Sequence, residues 1–291
     1  MHAPDIDSIN HVGMAVRKLA DTAARYEAMG FMLTPYSPHS GASRPGETVV
    51  PLNSGNRCVM FAHNYLEILA SADPSQPAPK ISNFLKRHQG AHVICFGSEQ
   101  VESVDGRLKA QGIVTSDVIP LQREIDTPEG MRTAKFQRVQ FAPDDSPEGY
   151  IQAARHLTPQ YIYQPRYIAH ANACSELSDV ILVTADIEHF SEKYRRYLGF
   201  APAVEGDARV YRFALASRLT LVHPDHASAL LPGSLLPPLP GIAGVVFRCP
   251  DLAAQGRRLE HAGFTVATAG RRLVVPAEEA SGVAVLFEPA A

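Results

Sequence analysis

One short pattern occurs four times along the chain and constrains the fold more than any other feature. Each copy opens with an apolar run that suits a strand and continues with helical spacing of apolar residues. The helix of each copy ends at a glycine, a residue typical of helix ends in the left-handed conformation. This glycine lies 19 or 20 residues after the residue that precedes the first Val of the strand. The four runs are INHVGMAV at 9–16, GAHVICFG at 90–97, LSDVILVT at 177–184 and GIAGVVFR at 241–248, and the glycines are Gly30, Gly112, Gly199 and Gly263. Four agreeing spacings indicate an internal repeat.

Further short strands follow each helix, so the repeating unit is predicted to be βαβββ. In the first copy the predicted strands are FMLTPY at 31–36, RCVMFA at 57–62 and NYLEILA at 64–70. One such unit cannot bury both faces of its sheet, so the units must pair. We therefore expect an α+β protein of four βαβββ units. Its two domains would span residues 1–157 and 177–291, with a packed connector over 158–176.

Composition narrows the classes of partner and compartment. The 291 residues carry 27 Lys and Arg against 30 Asp and Glu, and this balance argues against a nucleic-acid surface. The chain has no apolar run long enough to span a membrane and no signal-peptide pattern at its start. Its four cysteines are scattered, which favours buried thiols in a reducing compartment. We expect a cytoplasmic protein that binds a small molecule and neither nucleic acid nor membrane, and the sequence leaves open whether it is a homodimer.

Four polar residues occupy matching places in the first two copies. His11 and His92 each precede a Val in the opening strand, and Glu67 and Gln152 match in the last strand. If the copies pair about a pseudo-twofold axis, these side chains meet in one cleft. Two imidazoles and a carboxylate are a good ligand set for a divalent metal ion such as Fe, Mn, Zn, Ni or Co, with positions left open for a substrate.

INHVGMAV, the helix that ends in MGF, and SGNRCVMFAHNYLEILA resemble the glyoxalase-like branch of the vicinal oxygen chelate superfamily. The resemblance implies that paired units form half-open barrels and that metal ligands come from first and last strands. It implies His11, Glu67 and His92 as the ligands. Gln152 stands where an acid is common in that superfamily, and because an amide cannot remove a proton it is expected to bind substrate.

Candidate bases and substrate contacts lie near these ligands. Glu67 could leave the metal and act as a base, and strand alternation places His63 on the same face as Glu67. His156 and His170 flank the connector and could close the cleft as acid or base groups. Asn56 and Arg57 could hold a carbonyl-bearing or anionic substrate. The loop from Pro35 to Pro51, with Gly41, Gly46, His39 and Arg44, is either a lid over the site or a mobile insertion.

The second half of the chain lacks the imidazoles. Asp179 and Gly244 stand at the strand-one positions, and Thr220 and Glu288 at the last-strand positions. We therefore expect a degenerate second domain without a metal. The function favoured is metal-dependent glyoxalase-like lyase, isomerase or hydrolase chemistry on a small molecule with neighbouring oxygens. An Fe(II) ring-cleaving dioxygenase and a non-catalytic binding or resistance protein remain alternatives.

Overall fold

The structure is a computed structural model that describes residues 4–41, 50–215 and 217–290. The strands are β1 (Ser8–Ala15), β2 (Ser37–Gly41), β3 (Val50–Met60), β4 (Tyr65–Ser71), β5 (Gly90–Gly97), β6 (Ile119–Thr127), β7 (Gly130–Gln140), β8 (Tyr150–His156), β9 (Glu176–Val183), β10 (Ala203–Glu205), β11 (Ala208–Arg212), β12 (Arg218–Val222), β13 (Gly241–Arg248), β14 (Ala267–Ala269), β15 (Arg272–Val275) and β16 (Ala284–Glu288). The helices are α1 (Leu19–Ala28), α2 (Pro79–Arg87), α3 (Val101–Ala110), α4 (Pro159–Ile162), α5 (Pro165–Ile168), α6 (Ile187–Leu198), α7 (Pro224–Leu230) and α8 (Leu252–His261).

The strands form two eight-stranded sheets with the same internal order. The first is β2-β3-β4-β1-β5-β8-β7-β6 and the second is β10-β11-β12-β9-β13-β16-β15-β14. In each sheet two βαβββ units meet at their antiparallel opening strands, β1 with β5 and β9 with β13. The predicted α+β fold of four paired units in two half-open barrels is confirmed. The outer strands β2 and β6 contact each other, so the first sheet is nearly closed.

The glycine that ends the helix of each repeat has the left-handed backbone conformation that the sequence pattern predicts. The φ angles are 94° at Gly30, 74° at Gly112, 80° at Gly199 and 81° at Gly263. Because a side chain strains this left-handed region, a glycine is favoured at each of these helix ends.

The prediction of a strand at FMLTPY (31–36) is wrong, because the second strand, β2, starts only at Ser37. Phe31 and Leu33 are buried in the core just after α1, and the Thr34 amide donates to the Cys58 carbonyl. Apolar packing therefore explains this segment, and the strand follows it. Helix α2 lies between the first and second repeats and is not among the elements that the repeat pattern predicts.

One hydrophobic core extends over both sheets. At its centre Phe31 packs against Phe247 and Phe287 of the second sheet, with ring centroids 4.8 and 5.9 Å apart. Phe61 also packs against Phe247, at 5.6 Å. Aromatic pairs at these distances add to the energy of burial, so this cluster joins the two halves of the chain.

A buried ion pair also joins the two halves. Lys193 of α6 lies 3.0 Å from the carboxylate of Glu148, whose side chain is fully buried just before β8. The Lys193 ammonium also donates to the Asp145 carbonyl at 2.8 Å, and the Tyr194 hydroxyl donates to Glu148 at 3.4 Å.

None of the helices in the described part of the chain has the length and apolar character needed to span a membrane.

Candidate functional site

The candidate site lies on the face of the first sheet that carries His11, Glu67 and Gln152, which we call the inner face. His11 of β1 lies opposite Tyr65 of β4 and opposite Cys95 of β5. Cys95 in turn lies opposite Gln152 of β8. Residues paired between neighbouring strands point to the same face of a sheet, and so do residues two apart in one strand. The four central strands therefore bring these side chains together on one face.

Glu67 is the centre of the polar groups on this face. Its side chain is 16% exposed, and the Asn56 amide donates to one of its oxygens. Burial raises the pKa of Glu67, but the effects of His11, His39, Arg123 and Asn56 outweigh it, so that the pKa lies below its ordinary value. Within the described residues no Lys or Arg comes within salt-bridge distance of this carboxylate. Glu67 is therefore an ionised group without a direct cationic partner.

His11 turns an acceptor nitrogen toward this carboxylate. Its Nδ1 lies 2.8 Å from Oδ1 of Asn10, whose own amide donates to the Tyr163 hydroxyl. Since Asn10 Oδ1 can only accept, His11 Nδ1 carries the proton and Nε2 keeps its lone pair. Burial lowers the pKa of His11 to about 4, so the ring is neutral near pH 7. Its Nε2 lies 4.0 Å from Glu67 Oε2, an approach of two acceptors.

His39 approaches the other oxygen of Glu67, although the sequence pattern placed it only in a loop. Its Nε2 lies 3.8 Å from Glu67 Oε1, and its Nδ1 lies 3.1 Å from the Ser54 hydroxyl. Burial lowers its pKa as well. His39 lies where the pairing of β2 with β3 is irregular, because Pro38 pairs with Gly55 and Ser40 with Pro51, so that three residues of β3 (52–54) face the single residue His39. Irregular pairing of this kind redirects side chains, and no sequence pattern in this segment indicates it.

The donor set around Glu67 has the chemistry of a divalent metal site. Two imidazoles face one carboxylate, and the His11 Nε2 and Glu67 Oε2 acceptors need a cation or a proton between them. Asn10 and Ser54 hold the other ring nitrogens, as partners of metal-bound histidines commonly do. Among residues 4–41, 50–215 and 217–290, however, no three His, Cys, Asp or Glu side chains are arranged to hold a metal ion. The fit is therefore one of donor chemistry and not of a preformed coordination shell.

His92 does not join this set, contrary to the expected pairing with His11. Its Nε2 lies 2.9 Å from the His88 carbonyl, and its ring stacks on Phe84 of α2 at 4.7 Å. The register gives the reason, since β1 pairs with β5 through Gly13 with Val93 and then Met14 with Ala91. His92 is the bulged residue, and Val93 occupies the place that corresponds to His11. A shift of one residue in a strand changes which side chains meet.

Gln152 and His156 do lie on the inner face. Both are at least nine-tenths buried, and Gln152 Oε1 and His156 Nδ1 have no hydrogen-bond partner within the described residues. His156 packs against Tyr163, Phe136 and Tyr65, with ring centroids 5.1 to 6.3 Å apart. Burial, with help from His11, lowers the pKa of His156 to about 3. A neutral ring of this basicity is better suited to hydrogen bonding than to removing a proton.

The other candidate residues lie away from Glu67. His170 accepts from the Met32 amide with Nδ1 and contacts the Met60 carbonyl with Nε2, so both ring nitrogens serve packing of the connector. Arg57 points to the opposite face of β3, where it pairs with Glu27 and donates to the Thr34 carbonyl. His63 is exposed in the turn between β3 and β4. It lines a separate cavity of about 370 Å³ with Asn10, His156 and Tyr163.

The proposed lid over 35–51 is partly strand, because β2 and the start of β3 fall inside it. Gly46 and Arg44 lie outside the described residues, and His39 belongs to the group around Glu67. The lid hypothesis therefore remains a prediction.

The second sheet has a different interior at the corresponding positions. Asp179 is 1% exposed, and the Arg218 guanidinium donates to it at 2.8 Å and also to Glu288. Arg272 contacts Glu288 at 3.0 Å and Asp179 at 3.5 Å. The register places Leu286, and not Glu288, at the position of Glu67. Arginines thus neutralise the buried carboxylates of this half.

Comparisons with known proteins agree with the architecture. A family model described as a glyoxalase-like domain matches residues 9–198. A hypothetical protein from Staphylococcus aureus superposes with a TM-score of 0.63 at 12% identity, covering 97% of this chain and 99% of that one. A mutant of 4-hydroxymandelate synthase from Streptomyces coelicolor gives 0.57 at 12%, covering 97% and 92%. A xylose isomerase-like TIM barrel/4-hydroxyphenylpyruvate dioxygenase fusion protein gives 0.57 at 14%, covering 100% and 50%. No curated protein matches the sequence.

Proposed function

Because the chain belongs to the family of glyoxalase-like domain proteins, we propose that it is an enzyme acting on a small molecule with two neighbouring oxygens, at the cluster around Glu67. The observation that carries the proposal is the state of Glu67. This carboxylate is largely buried and faces two imidazoles, with no Lys or Arg within salt-bridge distance among the described residues, whereas arginines pair with the buried Asp179 of the second sheet. A structural carboxylate would be neutralised as Asp179 is, whereas a reactive one must stay available.

Each residue of the cluster has a part in this chemistry. Glu67 accepts a proton from a substrate carbon or hydroxyl next to a carbonyl, because within the described residues it is the carboxylate on this face. Asn56 orients the Glu67 carboxylate, and Asn10 fixes the tautomer of His11. Gln152, with an unpartnered oxygen on the same face, accepts a hydrogen bond from a substrate hydroxyl. The binding of such a molecule would satisfy the buried Gln152 oxygen, which has no hydrogen-bond partner within the described residues.

A divalent ion would be held by His11, His39 and Glu67. When bound, it would polarise the two neighbouring oxygens and stabilise an enolate or oxyanion. This assignment replaces His92 by His39 in the expected ligand set.

Metal binding of variants tests the assignment. Freshly purified protein would be stripped and titrated with Mn, Fe(II), Co, Ni and Zn, with bound metal measured by mass spectrometry. We expect one equivalent in the wild type and in His92→Ala, and strong loss in His39→Ala and Glu67→Gln, because three ligands leave none to spare. The His92→Ala variant is the matched control for removal of a buried imidazole. Loss of metal in His92→Ala together with retention in His39→Ala would contradict this ligand set.

Turnover is tested separately on α-hydroxycarbonyl compounds and catechols, with an oxygen electrode. The wild type should form product without oxygen uptake, and Glu67→Gln should abolish product formation. Stoichiometric oxygen uptake with a catechol and Fe(II) would replace the proposal by a ring-cleaving dioxygenase. Binding of these compounds without metal and without turnover would support a non-catalytic binding protein.

A further inference from the structure

We infer that the substrate is an anion whose carboxylate is bound by Lys80 and Arg138 on the inner face of the first sheet. This inference rests on the proposed function, because it names the chemical class of the molecule that the same half barrel would bind. It concerns a binding element separate from Glu67 and its imidazoles.

Lys80 and Arg138 meet at one aromatic ring. Arg138 of β7 donates from Nη1 to the Tyr150 hydroxyl at 2.6 Å. The Lys80 ammonium, from the first turn of α2, lies 3.5 Å from the centroid of the Tyr150 ring. Tyr150 lies two residues before Gln152 in β8, on the same face of that strand. Two cationic groups are thus held against one side chain, next to the candidate site.

These cations have no carboxylate partner in the described part of the chain. Neither Lys80 nor Arg138 forms a salt bridge there, whereas the arginines inside the second sheet do. Arg123 of β6 adds a third cation, 5.5 Å from the Phe136 ring, with its Nε buried and unpartnered among the same residues. Like charges held close together repel each other, and an anionic ligand bound between them would remove this repulsion.

The second sheet provides an internal comparison. Its arginines Arg218 and Arg272 are matched by Asp179 and Glu288. Arg123, Arg138 and Lys80 lie around the interior of the first sheet, and within the described residues the carboxylate on this face is that of Glu67. The excess of positive charge therefore fits an anionic ligand. A planar carboxylate suits the guanidinium of Arg138, whose remaining N–H groups can reach two oxygens.

Binding of matched charged and neutral compounds tests this inference. The probes are 2-hydroxy and 2-oxo carboxylates of two to six carbons, each compared with its neutral amide and with inorganic phosphate, by calorimetric titration at constant ionic strength. We expect carboxylates to bind and amides not to. Lys80→Met and Arg138→Met should each weaken carboxylate binding by roughly tenfold or more, the effect of losing one charge-assisted hydrogen bond. Lys80→Arg and Arg138→Lys should retain part of the affinity, which guards against a folding defect.

Two controls separate charge at this position from charge in general. Lys86→Met removes a lysine near the other end of the same helix, and Arg155→Met removes an arginine of β8 that pairs with Glu99. Both should bind carboxylates as the wild type does. The titrations are run on metal-free protein and turnover is measured separately, so failure of the proposed chemistry would be seen apart from failure of this inference. Equal binding of acids and amides, absence of any binding, or a preference for phosphate would overturn the inference.

Discussion

The ion pair between Lys193 and Glu148 gives a prediction about how the halves of the chain hold together. Lys193→Met keeps the volume of the side-chain stem but leaves the Glu148 carboxylate, which is fully buried, with the Tyr194 hydroxyl as its side-chain hydrogen-bond partner among the described residues. Removing one partner of a buried pair costs about 3–5 kcal/mol, because the other charge stays desolvated. For a domain of this size that corresponds to a fall of roughly 10 °C in the midpoint of thermal unfolding.

The pH dependence of the loss has a definite sign. Burial already raises the pKa of Glu148 above its ordinary value of 4.5, even though Lys193 lowers it. In Lys193→Met the pKa should rise further. A carboxyl whose pKa is higher in the folded state contributes stability while it is protonated, and that stability is lost as the pH rises through the folded-state pKa. The deficit of the variant should therefore be largest at neutral pH and shrink as the pH falls toward 4.5.

Urea unfolding of four proteins at several pH values measures this effect. They are the wild type, Lys193→Met, Glu148→Gln and the double variant, which form a double-mutant cycle. The double variant should recover much of the loss, because it no longer buries an unpaired charge. Lys109→Met, which removes the ion pairs of an exposed ammonium with Asp105 and Asp117, serves as the control and should change stability little. A deficit that is the same at acid and neutral pH, or a double variant less stable than Lys193→Met, would refute the reasoning.

Three further predictions concern stability. His156→Gln should flatten the acid side of the curve of unfolding free energy against pH. A histidine whose folded-state pKa is about 3 costs stability as the pH drops below 6.5, by about 1.4 kcal/mol per pH unit. An unchanged slope of this curve between about pH 6 and pH 4.5 would speak against the prediction. Phe247→Ala should lower the free energy of unfolding by about 3–5 kcal/mol and weaken the contact between the halves, which chemical denaturation followed by limited proteolysis would detect. Arg218→Met should destabilise the second half by leaving Asp179 underpaired, but metal content should stay at the wild-type level in mass spectrometry.

The fold was predictable because its information is repeated. Four strands, four helices and four glycines recur at one spacing, so an error in one copy is corrected by the other three. The second strand of the first unit was misplaced because Phe31 and Leu33 are as apolar as strand residues, although they pack directly into the core. Period and composition cannot separate these two causes of an apolar run.

The site was predictable only where side chains follow the regular alternation of strands. His11 and Glu67 meet because neither lies at an irregular position, and their proximity was expected from the repeat. His39 faces an irregular segment of β3 and His92 is itself a bulged residue, and the regular alternation fails at both: the His39 ring comes to Glu67 unexpectedly, and the His92 ring, which was expected there, does not. Lys80 was missed because its helix α2 falls between the repeats. Arg138 was missed because a charged strand residue gives no sign of whether it has a partner.

The bulges in the opening strands have a consequence for redesign of the protein. Asn10, His92, Ser178 and Ala243 are the extra residues of β1, β5, β9 and β13. An imidazole to be grafted into the second unit therefore has to be encoded at position 93, next to an asparagine at position 92. Gly13 lies opposite Val93, and a Cβ at position 13 would come within 2.9 Å of the Val93 side chain, so position 13 has to stay glycine beneath a larger side chain at position 93. Redesigns that copy the first unit by matching histidine to histidine would place the new ring under α2.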